Sequence, residues 1–160
     1  MDKAKQILEI LIKNHQTIST AESCTGGRIA SKLTIVSGAS AAFQASLVAY
    51  QNEIKTKFLR VNEKIIRKYD VVSRQVVEAM VVGACELFGT DYAIASTGYA
   101  GPDGGAANIP VGTIWLACGN TTKVISESIC LGTERIINIE SATDKALDLM
   151  IKLLTKNFTS

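Results

Sequence analysis

Thr20-Ala21-Glu22-Ser23-Cys24-Thr25-Gly26-Gly27 stands between a short β-compatible run, Thr17 to Thr20, and an amphipathic run from Arg28 to Leu33. The stretch reads as a strand-to-helix turn carrying two hydroxyls, a thiol and two glycines. Backbone N–H groups at a helix start lack intrahelical partners and carry the positive end of the dipole. A serine held there can act as a nucleophile, with neighbouring N–H groups aimed at a developing oxyanion. The commoner role for Ser23 or Thr25 is to cap the helix. Taken alone, the stretch favours the cap.

The rest of the chain narrows the choice. Its 160 residues fit one domain, taken as 1–160, and 47% hydrophobic content with only two prolines argues for a packed core. No apolar run approaches the roughly 18 residues of a membrane helix. Asp2 and Glu9 interrupt the apolar pattern of residues 1–13, unlike a signal peptide. A formal charge of +2 without a dense Lys/Arg face makes nucleic acid a poor partner. Cys24, Cys85, Cys118 and Cys130 form no CxxC pair, and the last three sit in apolar segments. They read as reduced, mostly buried thiols of a cytoplasmic protein.

The single histidine, His15, excludes more than it offers. One histidine is too few for the usual zinc sites, so no metal is expected. A histidine-based hydrolase would have to use His15, which lies ahead of the first strand. Catalytic groups of an α/β sheet gather instead at the carboxyl ends of strands. Lysine and tyrosine are therefore the candidate bases.

In chain order, Ala4, Ile7, Leu8 and Leu11 mark a helix over 3–13 ending at Asn14. A strand over 17–21 leads into the opening stretch, whose helix is expected from Thr25 to Thr34. Phe43 to Tyr50 reads as a buried strand. Asn52 is expected to cap a helix holding Glu53 and Lys55 in its first turn, and a further helix runs from Val61-Asn62 to Tyr69. Ser73 caps a longer helix that Gly89 ends. Strands follow at 92–96, 114–118 and 124–130, the last two joined at Gly119-Asn120, and a helix from about Thr133 to Asn157 closes the chain. Early strand–helix alternation with a late hairpin predicts an α/β fold. It is a three-layer α/β/α arrangement on a mixed, mostly parallel sheet of about five strands. Turns after parallel strands converge on one rim, which would bring together 23–27, 50–55 and 97–105.

Lys55 is the notable basic residue. A lysine in a helix's first turn meets the positive helix end, which favours its neutral form, as would burial. A general base needs that, because an ordinary lysine titrates near about 10.4. Tyr50 is placed to pass a proton or to close the core at a strand end. Cys24 is an alternative nucleophile that would need a basic partner. The loop from Thr97 to Gly105 has neither P-loop nor GxGxxG spacing, so it supports no dinucleotide fold.

Together these segments resemble the C-terminal domain of the competence-damage protein CinA, a family that includes a free-standing nicotinamide-nucleotide amidohydrolase. The resemblance rests on Ala21-Glu22-Ser23-Cys24-Thr25-Gly26-Gly27 and Val48-Ala49-Tyr50-Gln51-Asn52-Glu53-Ile54-Lys55, followed by Val72-Ser73. Thr97-Gly98-Tyr99-Ala100-Gly101-Pro102-Asp103-Gly104-Gly105 and Pro110-Val111-Gly112-Thr113 complete it. It implies hydrolysis of the carboxamide of nicotinamide mononucleotide to the acid and ammonia, with no cofactor or metal. Ser23, Tyr50 and Lys55 would carry the catalysis. Thr25, Gly26, Gly27, Thr97, Gly98, Gly101 and Arg135 would hold the substrate or its oxyanion. The resemblance also implies a homodimer or larger homo-oligomer. Tyr99 stands where the family usually has an aliphatic residue, and Ile139 where it tends to carry a second arginine one turn after Arg135. Those departures keep open another small amide as substrate, or a non-catalytic relative that binds a nucleotide or a protein.

Overall fold

The computed structural model describes residues 2–156. The first helix, α1 (Lys3–Lys13), starts where the Asp2 side chain accepts the Lys5 N–H, and it buries Ala4, Ile7, Leu8 and Leu11. Strand β1 (Ile18–Glu22) is buried along its whole length. After the opening turn come α2 (Arg28–Thr34), one turn of 3-10 helix (Ala39–Ala41) and β2 (Phe43–Val48). The next elements are α3 (Asn52–Leu59), α4 (Glu63–Tyr69), α5 (Arg74–Phe88) and β3 (Tyr92–Gly98). Strands β4 (Thr113–Gly119) and β5 (Val124–Cys130) form the hairpin, and α6 (Arg135–Lys156) is the last described element. Asn157, the expected end of that helix, lies outside the described residues.

The sheet order is β2-β1-β3-β4-β5. β1 pairs in parallel with both β2 and β3, while β4 runs antiparallel to β3 and to β5. Four of the five strands therefore point one way, as a mixed but mostly parallel sheet requires. Helices α1, α2 and α6 cover one face through the cluster that includes Leu8, Ile29, Ile94, Leu116 and Met150. Helix α5 covers the other through Val77, Met80 and Val81, with α3, through Leu59, and α4 packed against α5. The three-layer expectation holds.

Several local expectations are corrected. β2 is an edge strand whose residues alternate between half-buried and exposed, because only β1 flanks it. Its Gln44 and Ser46 face solvent, an alternation present in the sequence. α2 begins at Arg28 rather than Thr25, and α3 is preceded by Gln51, with Asn52 already inside the helix. Asn62 and Ser73 do cap α4 and α5, accepting the N–H groups of Lys64 and Val76. Cys24, Cys85 and Cys118 are buried free thiols, whereas Cys130, at the end of the edge strand β5, is exposed. No described helix is long and apolar enough to cross a membrane.

One backbone contact fixes where α3 lies against α5. Gly83 on α5 comes so close to α3 that a Cβ there would sit 2.0 Å from the Leu59 carbonyl oxygen. Backbone cannot yield as a side chain can, so a methyl group must push α3 away. Gly83→Ala is expected to cost about 1–3 kcal/mol, as overpacking does, despite its better helix propensity. Thermal unfolding would show it as a lowered Tm. Unchanged or raised stability would contradict the close approach.

Candidate active site

The three parallel strands deliver their following turns to one rim, and the side chains meet there. Ser23, just past β1, is nearly buried. Lys55, one turn into α3, is 1% exposed and donates from Nζ to Ser23 Oγ at 3.0 Å, to the Ala49 carbonyl at 2.8 Å and to the Tyr50 carbonyl at 3.1 Å. No carboxylate forms an ion pair with it among the described residues. Burial holds its pKa down, from 10.5 to about 8, against a smaller opposing influence of Cys24. The expected lowering is therefore real, but desolvation is its leading cause rather than the helix end.

The opening turn is capped from an unexpected direction. Glu22, fully buried at the end of β1, accepts the Ile29 N–H on Oε1 and the Ala30 N–H on Oε2, both at 2.9 Å. Those are free donors of the first turn of α2, whose N-cap, Gly27 at φ 94°, provides no side chain. The carboxylate thus does the capping that Ser23 or Thr25 was expected to do. Ser23 Oγ is left to face Lys55. Thr25 is fully buried and its hydroxyl donates to Glu22 Oε1 at 2.7 Å, so toward a substrate it offers only backbone. The Gly26 N–H donates to the Ser23 carbonyl, which removes it from the expected oxyanion donors.

Tyr50 contributes its carbonyl to Lys55 while its half-exposed phenol turns outward and accepts from Arg135 at 2.8 Å. Lys55 therefore reaches Ser23 directly, with no phenol between them. Arg135 also donates to the Gly101 carbonyl at 2.9 Å, which ties the start of α6 to the glycine-rich loop. Gly101 sits at φ 88°, and a Cβ there would meet the Thr133 carbonyl at 2.8 Å, so glycine is required. Gly98 is hemmed in by Ile114 across the β3–β4 pair. Thr97 donates its hydroxyl to the Val71 carbonyl at 3.0 Å, and Tyr99 donates to Asp70 Oδ1 at 2.8 Å. Both contacts fasten the loop to the α4–α5 connection. Burial, then the Asp70 carboxylate, pushes the Tyr99 phenol up to about 12, so it remains a donor.

A half-open cavity of about 160 Å³ is lined by Ser23, Cys24, Tyr50, Asn52, Lys55, Thr97, Gly98, Tyr99 and Arg135, with Val71 and Ala100. Ile139 is buried in the core and does not line it. A larger groove of about 650 Å³ between α1, α2 and α6 is lined by Lys3, Lys32, Glu140 and Asp144 but by neither member of the Ser23–Lys55 pair. Chemistry, not size, marks the smaller cavity as the candidate site. Within it Cys24 is a poor nucleophile, because burial pushes its thiol up to about 12. Sequence reasoning missed Glu22, Ser96, Asp70 and Asn52. An acid immediately before a serine at a helix start was a usable signal for Glu22.

A family model described as the CinA C-terminal domain matches residues 1–154. The chain belongs to the CinA C-terminal domain family. It is 43% identical over 151 residues to a CinA-like protein of Flavobacterium psychrophilum, matching 94% of this chain and 36% of that one. The chain thus spans a little over a third of the length of such CinA-like relatives. It is 42% identical to the nicotinamide-nucleotide amidohydrolase PncC of Pseudomonas putida, with 96% of both chains covered. Among solved structures, a CinA superfamily protein of Klebsiella pneumoniae superposes with a TM-score of 0.91 at 28% identity, covering 96% of each chain.

The lowered Lys55 pKa has a consequence for stability that any activity assay would miss. The folded chain resists protonating Lys55 and the unfolded chain does not, so below about pH 8 this residue opposes folding. The penalty, on the order of 3 kcal/mol, disappears as pH rises from about 8 toward 10.5. Comparing wild type with Lys55→Met by urea unfolding should show the difference moving in favour of wild type across that interval. A pH-independent difference would contradict the depressed pKa.

Proposed function

We propose that the protein is a metal-independent amidohydrolase that deamidates nicotinamide mononucleotide, with Ser23 as nucleophile and Lys55 as general base. The observation that carries this reading is the direct, buried 3.0 Å contact between Lys55 Nζ and Ser23 Oγ in the wall of the cavity. The 42% identity to a protein named nicotinamide-nucleotide amidohydrolase supports the substrate.

The surroundings of Nζ suit a base. A neutral amine has two hydrogens and one lone pair, and two of the three contacts of Lys55 are carbonyl oxygens that can only accept. With those hydrogens on Ala49 and Tyr50, the lone pair is left for Ser23. Lys55 takes the Ser23 proton as Oγ bonds to the carboxamide carbon and the carbonyl electrons move onto oxygen. Of the expected turn amides, Gly26 is committed to the Ser23 carbonyl, and neither Thr25 nor Gly27 lines the cavity. The backbone of Cys24 and Gly98, which do line it, is the better placed to hold the oxyanion, at about 3 kcal/mol per donor. The tetrahedral adduct collapses and expels ammonia, which leaves with the proton from Lys55. Water then attacks the Ser23 ester, again giving its proton to Lys55, and Ser23 departs with that proton to release the acid. The small cavity suits the carboxamide head, with Arg135 at its mouth toward the phosphate end.

Incubation with nicotinamide mononucleotide and measurement of ammonia tests the reading. kcat/KM should rise tenfold per pH unit below about 8 and level off above it, because only neutral Lys55 is a base. Ser23→Ala and Lys55→Ala should each lower kcat by at least about 10³-fold with the fold retained. Wild-type turnover in Ser23→Ala ends the serine mechanism. Ammonia from other small amides but not from the nucleotide would keep the dyad and change the substrate.

A further inference from the structure

Behind Ser23 lies a set of polar groups that the proposed reaction does not use. Glu22, Thr25 and Ser96 are each fully buried, on β1, the opening turn and β3. Thr25 Oγ1 lies 2.7 Å from Glu22 Oε1 and 2.7 Å from Ser96 Oγ. The Ser23 N–H donates to the Ser96 carbonyl at 3.1 Å, with a longer branch of 3.4 Å to Ser96 Oγ.

Each hydroxyl has one hydrogen, so the direction of this chain can be worked out. Both oxygens of the Glu22 carboxylate already accept backbone donors, the Ile29 N–H on Oε1 and the Ala30 N–H on Oε2, and a carboxylate has no hydrogen to give. Thr25 must therefore give its proton to Glu22. Thr25 Oγ1 can then only accept from Ser96, and Ser96 Oγ, its proton spent, presents only lone pairs to the backbone that carries Ser23 and Cys24. In a low-dielectric interior such linked bonds polarise one another, and reversing one strands a neighbour without a partner.

We propose that Glu22, Thr25 and Ser96 form a one-way hydrogen-bond chain that fixes the Ser23 turn in its attacking geometry, making Thr25 and Ser96 positioning residues for the nucleophile. This rests on the reading of Ser23 as the nucleophile. The chain acts through backbone: it sets where the Ser23 peptide sits relative to Lys55, which a separate element, α3, supplies. A displacement of about 1 Å between reacting groups costs roughly 10²-fold in rate. A buried network that only stabilised the fold would change Tm and leave the reactivity of folded molecules alone.

The test uses a fluorophosphonate probe, which reports serine nucleophilicity without any substrate, alongside ammonia release from the nucleotide. Thr25→Val keeps the shape and removes the hydroxyl, while Thr25→Ser keeps the hydroxyl. Probe labelling of Ser23, measured below each variant's Tm, should slow at least tenfold in Thr25→Val and stay within about threefold of wild type in Thr25→Ser. kcat should fall in parallel while KM changes less than threefold. Ser96→Ala, which removes the oxygen at the end of the chain nearest the Ser23 N–H, should slow labelling by about threefold or more and serves if Thr25→Val does not fold. Labelling of folded Thr25→Val, or of Ser96→Ala in its place, at the wild-type rate would overturn the positioning role and leave the dyad standing. Wild type that labels no better than Ser23→Ala would overturn the dyad reading and the positioning role together, and the wild-type control alone tells these failures apart.

Discussion

The structure turns on a lysine buried without a counter-ion. An amine removed from water and given only neutral oxygens is pushed toward its uncharged form, and Lys55 meets two carbonyls and one hydroxyl. Everything around it serves that condition. α3 delivers the side chain, the β2 end turns two carbonyls inward, and α5 packs against α3 closely enough that Gly83 admits no side chain. A carboxylate beside Nζ would hold the amine in its charged form. Glu22, the one buried acid among the described residues, is occupied with the first turn of α2.

That arrangement separates two tasks that a serine at a helix start usually combines. Capping goes to Glu22, one residue earlier, whose longer side chain reaches the Ile29 and Ala30 amides from the strand. The serine hydroxyl is released from the helix and turned toward the lysine. Helix α2 is capped by the Glu22 carboxylate at its positive end, and the Ser23 hydroxyl takes no part in the cap.

Much of this was legible in order along the chain. The helices of Leu8, Met80 and Leu147 show their apolar faces, and Asn62 and Ser73 announce their caps, because those signals are local. The rim was legible too, since turns after parallel strands must gather at one end. Contacts between distant segments were not. Thr25 and Ser96 are 71 residues apart, and nothing near either announces the other. The outward turn of the Tyr50 phenol depends on Arg135, 85 residues later. The edge position of β2 was readable from the alternation of Gln44 and Ser46. The dense run Leu47 to Tyr50 masked it.

The antiparallel hairpin has a topological consequence. β3 carries the chain up to the rim that holds Ser23 and Lys55, β4 takes it down to the opposite end of the sheet, and β5 brings it back, so the excursion from Gly98 to Cys130 returns to the same rim two strands further along. The net travel along the strands is zero, and it sets the start of α6 beside the loop that left the same rim. Arg135 can then reach Gly101 and Tyr50 at once. Had the hairpin been a single strand, α6 would begin at the opposite pole of the sheet with its arginine far from the serine. The two added strands act as a return path that brings the start of the last helix to the rim where the first strand places Ser23.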